Sequence, residues 1–172
     1  MSKDTTPRFY GKYRGTVINN VDPEQRGRLM VQVIGTTNVM PSTWAMPCLP
    51  VAGAQMGFHV VPPIGSGVWV EYEQGDLDYP IWSGSWWGSV AEVPPMALAG
   101  LPTMPNILLQ TSGQNFMVIS DLPGGPGITL KVNSGAMIII NDEGIVLSNG
   151  KGATISMIGP TVSINGAALT IT

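Results

Sequence analysis

At 172 residues with a formal charge of -3 and a sequence pI near 4.9, the chain can hold one compact domain and an accessory element, but it lacks the basic footprint of a phosphate-backbone binder. Only 11% of residues are charged, 44% are hydrophobic, and 22 glycines accompany 15 prolines, a balance that favours many short strands and turns over long helices and so an all-β chain. Cys48 is the single cysteine, which excludes an internal disulfide and reads as a small buried apolar side chain.

Residues 1–12 form an N-terminal extension in which Met1 to Pro7 is polar and lacks the apolar stretch of a secretory signal. Synthesis in the cytoplasm is expected. The longest strongly apolar run, Met137 to Ile140, falls far short of the roughly 20 residues a membrane-crossing helix takes. From Tyr13 onward, segments 13–19, 28–34, 68–73 and 79–86 read as strands from their β-branched and aromatic content. Turn signals separate them at Asp22-Pro23, Pro62-Pro63, Gly65-Ser66-Gly67 and Gly75-Asp76. About five strands in roughly 80 residues suit a small Greek-key barrel of the OB type, placed over residues 13–92.

Three groups in this half bear on chemistry. His59 lies in Gly57-Phe-His-Val-Val61, read as loop leading into strand, and a structural role outweighs a general-base one. Alternation places Glu71 and Glu73 on one solvated strand face with Asp76 and Asp78 in the next turn, a pattern that does not make a catalytic pair or a cation site. No serine sits in a nucleophile-elbow sequence, so no catalytic residue, metal or cofactor is expected. Tyr79, Trp82, Trp86 and Trp87 suit a protein-docking surface better than a stacking platform for bases or sugars, because the sequence places no basic residue beside them.

The segment 93–105, Val-Pro-Pro-Met-Ala-Leu-Ala-Gly-Leu-Pro-Thr-Met-Pro, reads as an extended proline-rich linker. Residues 106–172 then repeat. Counting from Gly113, Gly127, Gly135, Gly144, Gly152, Gly159 and Gly166, the third and fifth residues onward are Phe116/Val118, Leu130/Val132, Ile138/Ile140, Leu147/Asn149, Ile155/Met157, Val162/Ile164 and Leu169/Ile171. Thirteen of these fourteen are apolar, and the residue between is Lys131, Ser148, Ser156, Ser163 or Thr170 in five repeats, which describes strands with one greasy and one polar face. Abundant Gly, Ser and Thr exclude a heptad coiled coil. A lone chain of such short strands would expose both its edges and its apolar face. Three chains around a common axis would cover both, so a homotrimer with those thirteen residues as its core is expected.

These residues carry a family resemblance. Tyr13-Arg-Gly-Thr-Val17, Asn19 with Asp22-Pro23, Gly27-Arg28-Leu29-Met-Val31, Trp44, Pro62-Pro-Ile-Gly65, Val68-Trp-Val70 and Gly75-Asp76 followed by Pro80 and Gly84 resemble, in order and spacing, the OB domain of the phage baseplate assembly protein V family. That family is related to the T4-type central spike and the type VI secretion spike. The glycine repeats resemble the same family's triple-stranded β-helix.

The resemblance implies a structural spike of a contractile tail or injection-system baseplate, joining a separate hub protein to a tip and helping to pierce the target envelope. It also implies a PAAR-like tip protein seated on Leu169, Thr170, Ile171 and Thr172, a cargo or tube-lumen protein as a further partner, and transient contact with the target membrane. Tyr79, Trp82, Trp86 and Trp87 become candidates for the hub or inter-subunit interface. The resemblance is to the minimal form of the family, so no hub-like domain is expected before the barrel and no lysozyme-like insert after it, and a histidine-bound metal apex is not expected, because His59 is the sole histidine. Two other functions compete: an OB module binding oligosaccharide or single-stranded nucleic acid, and a cell-wall hydrolase. Salt-dependent strand binding would mark the first, turnover of peptidoglycan the second.

Overall fold

A computed structural model describes residues 7–36, 40–166 and 168–171. The chain divides into two compact units, Met1–Val90 and Ala91–Thr172.

The first unit is a five-stranded barrel. Its strands are β1 (Tyr13–Asn19), β2 (Met30–Val33), β3 (Met46–Pro47), β6 (Gly67–Tyr72) and β7 (Pro80–Trp86), in the order β2-β1-β6-β7-β3. All neighbours are antiparallel except β3 and β7. An isolated antiparallel bridge from Leu29 to Ala45 joins the two ends of that order and closes the sheet, which removes the unpaired edges that a short open sheet would present. Alternation does the rest: Val17, Val31, Val33, Val68, Val70 and Tyr72 point inward around Leu29, Ala45 and Trp82, all buried. The excursion between β3 and β6 holds a separate two-stranded ribbon, β4 (Ala52–Gly53) with β5 (Met56–Gly57), which the sequence reading did not anticipate.

The second unit opens with a helical turn, α1 (Pro95–Leu98), and a bridge between Leu101 and Met104. The linker is therefore not extended throughout. Pro95 stands at the first helical position, where its missing N–H costs nothing and its fixed φ favours the turn.

Eight strands follow: β8 (Ile107–Gln110), β9 (Phe116–Ile119), β10 (Ile128–Lys131), β11 (Met137–Asn141), β12 (Gly144–Ser148), β13 (Thr154–Ile158), β14 (Thr161–Ile164) and β15 (Leu169–Ile171). They pair strictly in sequence order, each antiparallel to the last. The single chain thus lays the repeats out as a meander.

Asparagines close the hairpins. Asn141 Oδ1 accepts the backbone N–H of Glu143 and Gly144 at 3.1 and 3.2 Å, and Asn149 Oδ1 accepts those of Lys151 and Ala153 at 2.8 and 3.1 Å. Gly144 is required where it stands: at φ +152° a Cβ there would lie 2.0 Å from the Met157 carbonyl oxygen, inside the β12–β13 pair.

Candidate functional site: an aliphatic sheet face

The cross-strand register of the second unit fixes which side chains share a face. One row runs Leu109, Met117, Leu130, Ile138, Leu147, Ile155, Ile164, Leu169, each directly opposite the next across the ladder. The row beside it runs Ile107, Ile119, Ile128, Ile140, Ile145, Met157, Val162, Ile171. Two residues from each of eight strands give sixteen side chains, and every one is aliphatic or Met.

Within one chain this face stays half open: Ile138 is 40% exposed, Ile140 44% and Leu130 44%. It forms a trough of about 900 Å³ along the first row, with Val132 on its wall. An apolar surface this continuous is far larger than scattered exposed residues would make and marks an interface.

The opposite face differs in chemistry. Thr129, Ser156 and Ser163 fall on one line across it, interrupted by Ile139 and Val146. By register Phe116 and Val118 pair with Lys131 and Thr129, one residue out of step with the two aliphatic rows, although Phe116 still borders the trough. Val118 is fully buried inside the single subunit, opposite Thr129, whose Oγ1 donates to the Pro126 carbonyl at 2.8 Å.

The register also adds residues that glycine counting passed over: Ile107, Leu109, Met117, Ile119, Ile128 and Ile145. Gly144 lies within the ladder opposite Asn141, so the apolar pair of that repeat begins at the next residue, Ile145, and Asn149 caps the turn instead. The alternation signal for Met117 and Ile119 was present but masked, because Phe116-Met-Val-Ile119 is apolar on both faces.

Leu169 and Ile171, assigned to tip binding, end the two rows on β15 at 50% and 58% exposure. Thr170 pairs with Ser163 through its backbone, and Thr172 lies outside the described residues.

In the barrel the four aromatics part company. Trp82 is a core residue, 5% exposed, with Nε1–H donating to the Gly27 carbonyl at 3.1 Å, so its assignment to an interface is corrected: Pro80–Trp86 alternates, and Trp82 takes an inward position. Trp86 packs near Trp69 with ring centroids 6.3 Å apart. The Arg14 guanidinium lies 5.2 Å from the Trp86 ring and 5.7 Å from the Trp69 ring. A basic residue does accompany this aromatic, brought in from β1, a strand far away in sequence. Tyr79 and Trp87 are each 62% exposed. Cys48 is exposed rather than buried, since it follows the short β3, and its N–H donates to the Trp82 carbonyl at 2.9 Å.

The family-motif residues between β1 and β2 gather into a clip. Asp22, 8% exposed, accepts hydrogen bonds from the backbone N–H of Glu24, Arg26 and Arg28 at 2.9, 2.8 and 3.2 Å, and from Arg28 Nη2 at 2.6 Å. This donor set holds the Asp22 carboxyl well below the ordinary carboxylate range, the Arg28 side chain being the largest cause. Arg28 also bridges to Glu24 at 3.1 Å and lies 5.6 Å from the Trp44 ring. The clip ties the loop to the barrel and has no open coordination or nucleophile.

Two members of the acidic cluster are taken up in pairs: Glu71 with Lys12 and Ser83, Asp76 with Arg8 at 3.3 Å. His59 is exposed in the loop after β5, beside Gly27. Among the described residues no group of three His, Cys, Asp or Glu is placed to hold a metal, and no helix is long and apolar enough to cross a membrane.

A closed OB barrel joined to a sheet that leaves one aliphatic face open defines a barrel-and-trimeriser chain. Comparison with family models gives the same two parts: a type VI secretion system/phage-baseplate injector OB domain matches residues 13–87, and a phage baseplate V C-terminal trimerisation domain matches residues 106–170. No curated protein matches the chain. The chain belongs to the phage baseplate V family, structural components of the baseplate spike, and its C-terminal domain marks it as a homotrimer.

Proposed function

We propose that three copies bring their aliphatic sheet faces together around a three-fold axis, forming a closed prism that is the shaft of a central spike. The barrels meet the hub at its base, and the tip protein sits on the end formed by β15. The observation that carries this reading is the pair of unbroken aliphatic rows across eight strands, half exposed in one chain. With a strand spacing of about 4.8 Å, the eight strands extend on the order of 40 Å along the shaft.

The role is mechanical. A sheath contracting around the tube drives the shaft into the target envelope, and a prism with apolar interior and paired strands carries that load without exposing lateral edges. The Ser and Thr line on the opposite face becomes the outer surface.

The test is a particle carrying Ile138→Asp and Ile155→Asp, which places six carboxylates inside the prism. Such particles should assemble a tube and sheath yet fail to deliver across the target envelope, and normal delivery would overturn the piercing role. Binding of the purified trimer to its hub, measured for Tyr79→Ala and Trp87→Ala, examines the hub contact. Loss of affinity of about tenfold or more is expected for an exposed aromatic anchor.

A further inference from the structure

From residue 106 to residue 172 the only charged side chains are Asp121, Lys131, Asp142, Glu143 and Lys151, and the meander sorts them by sign. Because each strand runs antiparallel to the last, successive turns alternate between the two lateral edges of the sheet. One edge carries the β9–β10 and β11–β12 turns, which hold Asp121, Asp142 and Glu143. The other carries the β12–β13 turn with Lys151, and Lys131 ends β10 on this same side, opposite Met137. No Lys or Arg falls on the first edge and no Asp or Glu on the second.

All five side chains are exposed, and among the described residues none of them is in an ion pair within its own chain. The two edges are too far apart for that: the five-residue strand β12 separates them by roughly 15 Å. Both charged turns are held in place by the same device, Asn141 Oδ1 accepting the Glu143 N–H and Asn149 Oδ1 the Lys151 N–H. Each charge therefore leaves its edge from a clasped backbone.

Three-fold closure dictates which edges meet. With the aliphatic faces turned to the axis, rotation by a third of a turn carries each sheet onto the next, so every corner joins the first edge of one copy to the second edge of its neighbour. A cyclic ring has no displacement along its axis, so for strands lying across the axis the levels are kept. The Asp121 turn, between β9 and β10, then comes within about half a strand spacing of Lys131 on the neighbouring copy's β10. Asp142 and Glu143, between β11 and β12, lie about one spacing, roughly 4.8 Å, from the level of Lys151 between β12 and β13. A lysine on its flexible four-carbon stem spans such an offset.

We infer that the acidic edge of each copy pairs with the basic edge of the next, Asp121 with Lys131 and Asp142 and Glu143 with Lys151, to form an ionic seam at each of the three corners of the shaft. The seam rests on the three-fold prism reading and specifies which lateral edges its copies share.

The test is carbodiimide coupling of the full chain, which makes an amide only where a carboxylate and an amine touch. Peptide mapping should find Lys151 joined to Asp142 or Glu143 and Lys131 joined to Asp121, in species that run as linked dimers and trimers on denaturing gels. Lys151→Glu should weaken trimerisation about tenfold at low salt, three corners each losing a weak exposed pair, and less at high salt, where the charges are screened. Combining it with Asp142→Lys and Glu143→Lys should restore association. Absence of these cross-links in an unaltered chain whose mass is that of a trimer would overturn the seam alone. So would an unchanged trimerisation constant in Lys151→Glu, or a triple reversal that melts like the unaltered chain yet fails to regain association. A monomeric mass for the unaltered chain would overturn the prism as well.

Discussion

Ile138→Ala separates the two faces of the shaft sheet quantitatively. The substitution removes three carbons, worth about 2.4 kcal/mol at roughly 0.8 kcal/mol per buried methylene. In the single chain Ile138 is still 40% exposed, so about 1 kcal/mol of that burial is gained only on association, and three copies give about 3 kcal/mol per trimer. At about 1.4 kcal/mol per decade this weakens the trimerisation constant roughly 100-fold, and an unfilled cavity would add to it. Val118→Ala is the counterpart. Its side chain is already fully buried in one subunit, so it should lower the unfolding midpoint of the second unit while leaving trimerisation unchanged. Sedimentation equilibrium over a wide concentration range, paired with thermal melts, reads both quantities. Equal effects of the two variants on association, or no effect of Ile138→Ala, would refute the assignment of the exposed rows to the trimer core.

Asp22→Asn should lower the melting temperature of the barrel by more than Glu24→Gln does, since Asp22 anchors three backbone donors and Arg28 while Glu24 lies at the rim. Because the folded carboxyl is held below its unfolded value of about 3.9, its stabilisation is complete above that value and fades as pH falls through the lowered one. Melts from pH 6 to pH 2 should therefore lose a downward limb in Asp22→Asn. Trp82→Phe should cost about 0.5–1.5 kcal/mol for the lost bond to Gly27, and Trp82→Ala about 3–5 kcal/mol for the cavity, both read by urea denaturation. Gly144→Ala should cost at least about 1–3 kcal/mol from backbone strain alone, with amide exchange rising first in β12 and β13, whose backbones the new methyl would push apart.

The barrel was legible because its strands alternate cleanly and its turns are marked: Val31 and Val33 flank Gln32, Val68 and Val70 flank Trp69, and all four valines are buried. Its small ribbon was not, since Ala52-Gly-Ala-Gln-Met-Gly57 offers neither β-branched residues nor alternation. In the shaft, the repeat and its apolar character were plain, but the distance from each glycine to the first inward residue varies from repeat to repeat. Gly144 stands in the ladder, and the count from Gly113 landed one residue out of register at Phe116 and Val118. A period-two pattern gives no warning of such a slip when both parities are apolar. Arg14 and Trp86 illustrate a different limit: 72 positions separate them in the chain, and only the closure of β1 onto β6 and β6 onto β7 brings them within 5.2 Å.

Because the meander joins each strand only to its immediate predecessor and successor, its length is an adjustable quantity. Removing two consecutive strands, β12 and β13, would bring β11 against β14 with the same antiparallel sense and the same inward parity, shortening the shaft by about 10 Å at one strand spacing each. Low contact order also favours quick formation of such an array, hairpin by hairpin. The shaft is thus a ruler graduated in strand pairs, and changes of reach can arise by insertion or deletion of whole hairpins without redesign of its interior.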